Sequence, residues 1–292
     1  MSRSFSQFFI LKNTCNFDII LLYFDWRNAM SELLKKIIDA VVDCRDILLS
    51  PYSVSTKGSV SNIVTSADKA VEERLKTKLL EILPEACFLG EEGGHTEEKS
   101  YRFVVDPIDG TSNFTRNLNC SAISVGLLKD GVGVLGVVYN PFTNELYYAE
   151  KGKGAFLNGE QIKVSDRDFA HGLYYTALCI YKKDLAENCL NILREVYQKC
   201  DDFRREGSAA IELCRLASGK GELYFEIRIF PWDCAAAEVI LTEAGGVFKH
   251  LFAENLDIAA PFPIIAANNN QNLEKLEEIV KKEIPKLPKN YN

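Results

Sequence analysis

Two aspartates three positions apart form the most distinctive chemical feature of the sequence. The segment 104–111, VVDPIDGT, reads as a β run that ends on Asp106, turns at a proline and reaches Asp109. Such a turn can place both carboxylates and the Ile108 carbonyl around a hard cation, which prefers oxygen ligands. Gly110 permits close backbone approach, and the amides beyond it can receive phosphate oxygens. An ordinary Asp-rich turn has the same composition, so both interpretations stay open for this segment alone.

Two further acidic residues favour the metal site. Glu91 follows a short β-like run inside the Gly-Glu-Glu-Gly segment 90–93, and Asp233 stands where a helix begins after a Pro-Trp pair. Asp233 taken alone is typical of a helix N-cap. Converging carboxylates repel one another unless cations neutralise them. A site built from these two residues together with Asp106 and Asp109 therefore implies bound metal.

The charge pattern argues against nucleic acid and membranes as partners. The 34 basic and 41 acidic residues give a net charge of −7, and no basic run is dense enough to follow a phosphate backbone. The apolar stretches 8–11 and 19–24 are separated by polar residues and are too short for a secretory core or a spanning helix. We expect no direct nucleic-acid binding and no membrane association.

Cysteine and histidine usage excludes several other classes. The nine cysteines are odd in number, scattered and without a CxxC pair, which predicts reduced thiols in a cytoplasmic protein. His95, His171 and His250 are far apart and lack metal-ligand spacing. Zinc chemistry and a Ser-His-Asp relay therefore lack obvious parts.

Motifs of other phosphate-binding or nucleotide-binding proteins are absent or lie in the wrong context. The segment 131–136, GVGVLG, spells GxGxxG, but β-like residues follow it and Pro141 blocks the helix that a dinucleotide motif needs. Haloacid-dehalogenase-type phosphatases need a DxD motif, in which the two aspartates are two positions apart, whereas Asp106 and Asp109 are three positions apart. No P-loop GxxxxGK[ST] is present, which argues against a kinase or NTPase.

The first half of the chain contains the elements that must position most of these acids. Apolar residues recur at helical spacing over 34–48, and a second amphipathic helix begins after Thr65 or Ser66 with Asp68 in its first turn. Short β-like runs follow over 86–149. The hairpin signals are Asp130-Gly131 and Asn158-Gly159.

The second half alternates strand and helix patterns. Strands are predicted over 173–180, 223–225 and 264–267, and a helix from Asp233 to Ala244. An antiparallel-rich half joined to an α/β half is the expected architecture, with an overall α/β (α+β) fold class.

We expect the chain to divide into three regions. Residues 1–29 form an N-terminal extension, 30–165 form an α+β half with most of the metal ligands, and 166–292 form an α/β half with Asp233 and the substrate contacts. Met30 stands directly before a helix start, which raises the hypothesis that 1–29 comes from an upstream start codon.

Three stretches together resemble the inositol monophosphatase family of magnesium-dependent, lithium-sensitive phosphatases. They are Gly90-Glu91-Glu92, the nine residues DPIDGTSNF at 106–114, and the segment 232–246 from Trp-Asp to Glu-Ala-Gly-Gly. Their order and spacing agree with the family, and the resemblance runs from about residue 31 to near the C-terminus. It implies the layered αβαβα sandwich of the sugar phosphatases and a homodimer.

The resemblance also implies the Mg²⁺ site and the residues that act on water. Asp68 matches the family aspartate that works with the motif threonine, here Thr111, to orient and activate the attacking water. Glu91 is implied as catalytic as well as ligating. The implied Mg²⁺ ligands are Glu91, Asp106, the Ile108 carbonyl, Asp109 and Asp233.

The remaining implied contacts are with the substrate. The amides of Gly110 and Thr111 would hold the phosphate, and Glu226 would meet the hydroxyls of the alcohol. Arg228 is a further candidate, because a cation at the rim could favour a second phosphate. The full implied substrate set is Asp109, Gly110, Thr111, Gly207, Ser208, Ala209, Glu226 and Asp233.

We therefore expect a Mg²⁺-dependent phosphomonoesterase that hydrolyses inositol monophosphate or a related sugar or polyol phosphate by metal-activated water. The Asn-Phe ending of the motif, at 113–114, resembles the inositol-phosphatase branch of the family more than its nucleotidase branch. Fructose-1,6-bisphosphatase, histidinol-phosphatase and 3′-nucleotidase activities stay open on the same scaffold. A regulatory partner of transcription machinery is the alternative of another class, since some bacterial members of the family bind that machinery.

Overall fold

The fold consists of two β-sheets that alternate with three layers of helices. The structure, a computed structural model, describes residues 30–56, 63–93, 95–179, 182–251 and 260–284. Helices cover the outer face of each sheet, and a third helical layer lies between the sheets. This arrangement confirms the expected αβαβα sandwich. The predicted extension at 1–29 lies outside the described residues.

The first helical layer comes from the start of the described chain. Its elements are α1 (Glu32–Val42), α2 (Arg45–Leu48), the ribbon of β1 (Val54–Thr56) and β2 (Ile63–Thr65), and α3 (Ser66–Ile82). The hydroxyl of Ser31 caps α1, and that of Thr65 caps α3. Buried apolar residues of α1 and α3 pack on the first sheet. The single helix predicted over 34–48 is wrong, because the chain leaves the helical path after Val42 and resumes it for one turn only.

The first sheet carries most of the predicted metal ligands. Its strands are β3 (Ala86–Gly90), β4 (Tyr101–Asp109), β5 (Ala122–Lys129), β6 (Val132–Asn140), β7 (Glu145–Glu150), β8 (Ala155–Leu157) and β9 (Glu160–Ile162). Strands that are neighbours in this order are hydrogen bonded, and the β3–β4 pair alone among them is parallel. Hairpins turn at 130–131 and 158–159, as predicted. A one-turn helix, α4 (Thr111–Phe114), follows β4.

The second sheet comes from the second half of the chain. Its strands are β10 (Leu173–Ala177), β11 (Asp202–Arg204), β12 (Leu223–Ile229), β13 (Val247–His250) and β14 (Phe262–Ala267), in the spatial order β11-β10-β12-β14-β13. The first three are mutually parallel, and β14 is antiparallel to both of its neighbours. Helices α5 (Ala186–Tyr197) and α8 (Asn270–Glu283) cover its outer face. The strand predicted over 173–180 ends earlier, at Ala177.

Two helices fill the layer between the sheets. These are α6 (Ala209–Ala217) and α7 (Pro231–Glu243), and α7 lies across β4 to β7 of the first sheet. Gly126 and Gly136 are paired in register on β5 and β6 beneath α7. A Cβ atom added at Gly136 would lie 2.2 Å from the carbonyl oxygen of Ala236. The GxGxxG-like segment 131–136 is thus a hairpin and strand, as predicted, and its last glycine permits backbone contact between sheet and helix.

Gly136→Ala should destabilise the protein, because the new methyl group meets helix backbone that cannot rotate away. Overpacking typically costs about 1–3 kcal/mol, so a fall of several degrees in Tm is expected by calorimetry. Gly133→Ala is the matched control, since the nearest atom to its added Cβ, at 2.5 Å, is a terminal methyl of Val239. An equal or larger loss in Gly133→Ala would contradict the assigned contact.

The structure also describes the length of the apolar helices and the state of most cysteines. Across the described ranges, no helix is both long and apolar enough to cross a bilayer. The cysteines of the same ranges are free thiols and most are buried.

Candidate active site

Three aspartates converge at the end of β4 that faces α7. One carboxylate oxygen from each of Asp106, Asp109 and Asp233 lies within 4.8 Å of the others. Asp106 and Asp109 are 2% and 7% exposed, and the strand register shifts between them, so both can turn toward one point. Asp233 arrives from the first turn of α7. The sequence pattern therefore identified three residues that the fold brings together.

The position of Asp233 within its helix differs from the prediction. The helix begins at Pro231 rather than at Asp233, so Asp233 is not the N-cap. Its carboxylate accepts a hydrogen bond of 2.9 Å from the Phe230 N–H, which fixes the start of α7. The first turn of α7 is also held to the first sheet, because the Ser124 hydroxyl of β5 donates to the Trp232 carbonyl at 3.2 Å.

Burial and mutual repulsion dominate the electrostatics of the three aspartates. The pKa of Asp106 is raised well above its usual value by burial and then by the charges of Glu91, Asp109 and Asp233. Burial and the charge of Asp109 likewise raise the pKa of Asp233, and burial raises that of Asp109 to about 6. Buried oxygen donors that repel one another suit a hard divalent cation such as Mg²⁺.

Glu91 is near enough for its charge to raise the pKa of both Asp106 and Asp233, but among the described residues the 4.8 Å cluster contains the three aspartates and not Glu91. The turn that carries it is anchored to α3: the carboxylate of Glu72 accepts a 2.8 Å hydrogen bond from the Glu92 N–H. Glu72 is buried at 6% exposure. Glu72 carries no signal in the sequence, and in the structure it positions the turn that contains Glu91.

A hydroxyl and a carboxylate adjoin the aspartates on the α3 side. The Thr111 hydroxyl lies 3.0 Å from the Ile108 carbonyl oxygen and 3.4 Å from an oxygen of Asp68. Asp68 is fully buried, and its other oxygen accepts from the Thr65 N–H and hydroxyl at 2.7 and 2.5 Å. Burial raises the pKa of Asp68 to about 6. Thr111 and Asp68 thus lie side by side, and their role in orienting and activating water stays a prediction.

The turn after Asp109 is set by a left-handed glycine. Gly110 has φ of +85°, and an added Cβ would lie 3.0 Å from the carbonyl oxygens of both Cys120 and Gly207. Glycine is therefore required by conformation and by space. In the one-turn helix α4 that follows, the Asn113 and Phe114 amides donate to the Gly110 carbonyl, so the predicted phosphate contacts are left to the Gly110 and Thr111 amides.

The segment 206–210 joins the second half of the chain to the aspartates. One oxygen of Asp109 accepts hydrogen bonds of 2.6 Å from the Ser208 hydroxyl and 2.7 Å from the Ala210 N–H. Ser208 also caps α6. The family resemblance assigns the Ser208 hydroxyl to contacts with substrate hydroxyls, but in this structure it donates to Asp109, a predicted metal ligand. The substrate contacts of residues 207–209 stay a prediction.

Two side chains hold this segment in place: Asn113 of the 106–114 motif, and Glu212, which the sequence did not single out. Asn113 donates to the carbonyls of Cys120 and Glu206 at 2.8 and 2.7 Å. Glu212, only 1% exposed, accepts from the amides of Glu206 and Gly207. A signal existed for Glu212, because it stands among apolar residues of α6 where a solvated acid is not expected.

Glu226 lies on β12 and accepts a 2.6 Å hydrogen bond from the Tyr224 hydroxyl. Burial raises its pKa to about 7, the charge of Asp109 acts in the same direction, and the charge of Arg205 opposes them. Arg228 instead places its guanidinium 5.2 Å from the ring centroid of Phe230. A contact between Arg228 and a second phosphate stays a prediction. The cation whose charge lowers the pKa of Glu226 is Arg205, which the sequence pattern did not single out.

The metal-free protein should lose stability as pH rises from about 5 to 7. Asp68 and Asp109 have folded-state pKa values of about 6, above the usual 3.8, so the folded state holds protons that the unfolded chain has released. The free energy of unfolding must then fall as pH rises through this window. Thermal melts in EDTA should show a lower Tm at pH 7 than at pH 5, and Mg²⁺ should remove the difference. A Tm in EDTA that rises over this range would contradict the assignment.

The fold and the carboxylate site define a protein of the layered sugar-phosphatase type. The chain belongs to the inositol monophosphatase family, whose family model matches residues 27–284.

Individual relatives have two kinds of name. The chain is 37% identical to the Nus factor SuhB of Vibrio cholerae, over 73% of this chain and 80% of that protein. It is 38% identical to the fructose-1,6-bisphosphatase/inositol-1-monophosphatase of Aquifex aeolicus, over 67% of this chain and 75% of that protein. Among solved structures, the suhB protein of Bartonella henselae superposes with a TM-score of 0.79 at 32% identity, covering 86% of this chain and 99% of that one.

Proposed function

We propose that the chain is a Mg²⁺-dependent phosphomonoesterase that hydrolyses inositol monophosphate or a related sugar or polyol phosphate. The observation that carries this proposal is the convergence of Asp106, Asp109 and Asp233 within 4.8 Å, where their charges repel, with the first two buried and Asp233 half-buried. Beside them lie the Asp68–Thr111 pair and the turn at Gly110, whose Gly110 and Thr111 amides would face the phosphate. Carboxylates for a cation, a base for water and amides for an anion are the parts that phosphomonoester hydrolysis needs.

Mg²⁺ would be held by the three aspartates with Glu91 and the Ile108 carbonyl. Bound there, it would supply Lewis-acid stabilisation of phosphoryl charge and increase the acidity of water. Thr111 can donate its hydrogen to Asp68, which leaves a lone pair to accept a hydrogen bond from the attacking water. Asp68, with a pKa raised to about 6, is then placed to take up a proton.

The alcohol part of the substrate would lie toward β12. Glu226 has one oxygen bonded to Tyr224 and a second that can accept from a hydroxyl. A site built to bind hydroxyls discriminates against analogues that leave its buried polar groups unpaired. This chemistry favours a polyol or sugar phosphate over a nucleotide 3′-phosphate.

Phosphate release from a substrate panel tests the proposal. The panel contains inositol 1-phosphate, fructose 1,6-bisphosphate, histidinol phosphate and 3′-phosphoadenosine 5′-phosphate, each assayed with Mg²⁺, with EDTA and with Mg²⁺ plus Li⁺. Turnover of a polyol or sugar phosphate should require Mg²⁺ and fall with Li⁺. Unchanged turnover in EDTA would refute the metal mechanism. A kcat/KM for 3′-phosphoadenosine 5′-phosphate well above that for inositol 1-phosphate would refute the substrate class.

A role with transcription machinery is a second candidate, favoured by the 37% identity to a protein named Nus factor SuhB. It does not exclude catalysis, since the residues of the proposed metal site are all present in this chain. An Asp106→Asn variant separates the two functions. If it loses phosphatase activity yet still captures the same transcription proteins as the wild type, binding does not depend on catalysis. Failure of the wild type to capture any of them would refute this candidate.

A further inference from the structure

Two residues of β12, Tyr224 and Glu226, are joined by a hydrogen bond on the face of the strand that meets the middle helical layer. Side chains alternate along the strand, so Leu223 and Phe225 pack in the outer core, whereas Tyr224 packs with α6 and α7. Glu226, two residues on, lies on the same face, and its carboxylate accepts from the Tyr224 hydroxyl at 2.6 Å. The bond therefore lies on the side of β12 from which α7 brings Asp233.

The strand neighbours in register with Glu226 offer it no donor. They are Ala177 on β10 and Ile264 on β14, whose side chains are apolar. Tyr224 is fully buried, and burial raises the pKa of its hydroxyl well above the usual value, so the hydroxyl stays protonated and donates. Among these neighbours on the sheet, Tyr224 is thus the one that fixes the Glu226 carboxylate.

The hydrogen bond prepares Glu226 for a ligand. It occupies one carboxylate oxygen and leaves the second able to accept from a hydroxyl. A glutamate that samples several rotamers loses that freedom when a substrate binds, which weakens binding. A glutamate held by a buried hydroxyl has already lost it on folding. Such preorganisation favours ligands with a hydroxyl where the second oxygen can accept it.

The neighbouring strand contains a similar pair without an acid. Tyr174 on β10 is also fully buried, and its hydroxyl donates at 3.0 Å to that of Thr176, two residues on. Thr176 in turn donates to the Phe225 carbonyl of β12 at 3.0 Å, so this pair joins two strands. Tyr174 therefore provides a control for the structural contribution of a buried tyrosine hydroxyl in this sheet.

We propose that Tyr224 is a positioning residue that makes the site selective for a hydroxyl on the alcohol part of the substrate. The inference rests on the proposed function and deepens it: phosphate monoesters are distinguished by whether their alcohol carries a hydroxyl that Glu226 can accept. Tyr224 is fully buried and acts through Glu226 rather than on the substrate. It keeps the carboxylate in the binding orientation before the substrate arrives.

Two substrates that differ in their hydroxyls test this assignment. Inositol 1-phosphate and cyclohexyl phosphate share a carbon ring and a phosphate, but only the first has ring hydroxyls. Tyr224→Phe should raise KM for inositol 1-phosphate about tenfold, the effect of one hydrogen bond, and should change kcat little, because uniform binding affects KM alone. Its effect on cyclohexyl phosphate should be small. Tyr174→Phe should have a small effect on both substrates.

A double-mutant cycle shows whether the effect passes through Glu226. In a protein that already carries Glu226→Ala, Tyr224→Phe should leave KM for inositol 1-phosphate unchanged, because the carboxylate that Tyr224 holds is gone. Calorimetry should give similar Tm values for Tyr224→Phe and Tyr174→Phe, since each removes one hydroxyl from a buried ring. A difference between them in KM then has its origin in Glu226 and not in stability.

Three results would overturn the assignment. An equal rise of KM on both substrates in Tyr224→Phe would mean a general distortion of the site. A rise of the same size in Tyr174→Phe would reduce the effect to the loss of a buried hydrogen bond in the sheet. An undiminished effect of Tyr224→Phe in the Glu226→Ala protein would mean that Tyr224 does not act through Glu226.

A binding measurement separates this inference from the proposed function. Titration calorimetry with Ca²⁺ and inositol 1-phosphate gives a Kd without turnover. Tyr224→Phe should raise that Kd about tenfold, whereas Tyr174→Phe should not. If neither inositol 1-phosphate nor any other sugar or polyol phosphate is hydrolysed with Mg²⁺, the proposed function fails. The assignment of Tyr224 fails independently if the Kd is the same in the wild type and in Tyr224→Phe.

Discussion

Asp106→Asn is expected to lower Mg²⁺-dependent phosphate release by about a thousandfold or more. A bound metal contributes several kcal/mol of transition-state stabilisation, and each factor of ten in rate corresponds to about 1.4 kcal/mol. Asparagine can keep the 2.9 Å hydrogen bond that Asp106 accepts from the Ile108 N–H. The substitution therefore removes charge with little change of local geometry, and Asp109→Asn should give a similar loss in the same assay.

The same variant should also be more stable than the wild type when metal is removed. Asp106 is surrounded by the charges of Glu91, Asp109 and Asp233, and asparagine removes that repulsion. Melts in EDTA at pH 7.5 should give a higher Tm for Asp106→Asn, and the gain in Tm that Mg²⁺ gives the wild type should shrink. Opposite effects on activity and on metal-free stability are the signature of a charge kept for metal binding.

Asp130→Asn is the control for this prediction. Asp130 is an exposed carboxylate at the β5–β6 hairpin with φ of +51°, a conformation that asparagine adopts readily. It should change neither the rate nor the effect of Mg²⁺ on Tm. If Asp106→Asn melts lower than the wild type in EDTA, or keeps its Mg²⁺-induced gain, the three aspartates are not the metal site.

Thr111→Ala is expected to lower kcat by about a hundred- to ten-thousandfold, with a much smaller effect on KM. The hydroxyl is assigned to orient the attacking water between itself and Asp68, and general base catalysis is typically worth that factor. An interaction used mainly in the transition state lowers kcat rather than ground-state binding. Steady-state kinetics on inositol 1-phosphate provide the measurement, and Asp68→Asn should behave alike.

Two variants make the test of Thr111 specific. Thr111→Ser keeps the hydroxyl and should recover most of the rate. Ser112→Ala removes the adjacent hydroxyl, which lies 2.7 Å from the Arg116 guanidinium, and should have a small effect. A change confined to KM in both Thr111→Ala and Asp68→Asn would reject their role in catalysis.

The sequence predicted the parts of the site that depend on short-range patterns. Asp106 and Asp109 were found because a strand, a proline and a glycine stand next to them in the chain, and the structure places them in that context. The layered fold was expected from the family resemblance and is confirmed. Antiparallel hairpins were readable because their turns are encoded in two residues.

The parts that were missed depend on contacts between distant segments. Glu72 and Glu212 look like surface acids of amphipathic helices, and only the folded structure shows them buried against backbone amides. Strand β13 has four residues, too few for an alternating pattern to be recognised. Helix α8 could have been predicted, because its apolar residues recur at helical spacing.

The hydrogen bonds from Ser208 and Ala210 to Asp109 have a consequence for how the chain reaches its active form. They span 99 and 101 positions, and Asp233 comes still later in the chain. During synthesis, at about 5–20 residues per second, Asp109 thus waits several seconds for the donors that its burial requires. Contacts of such separation also form slowly, because loop closure must precede them. The carboxylate site therefore matures late, and its two halves are joined only when nearly the whole polypeptide has emerged.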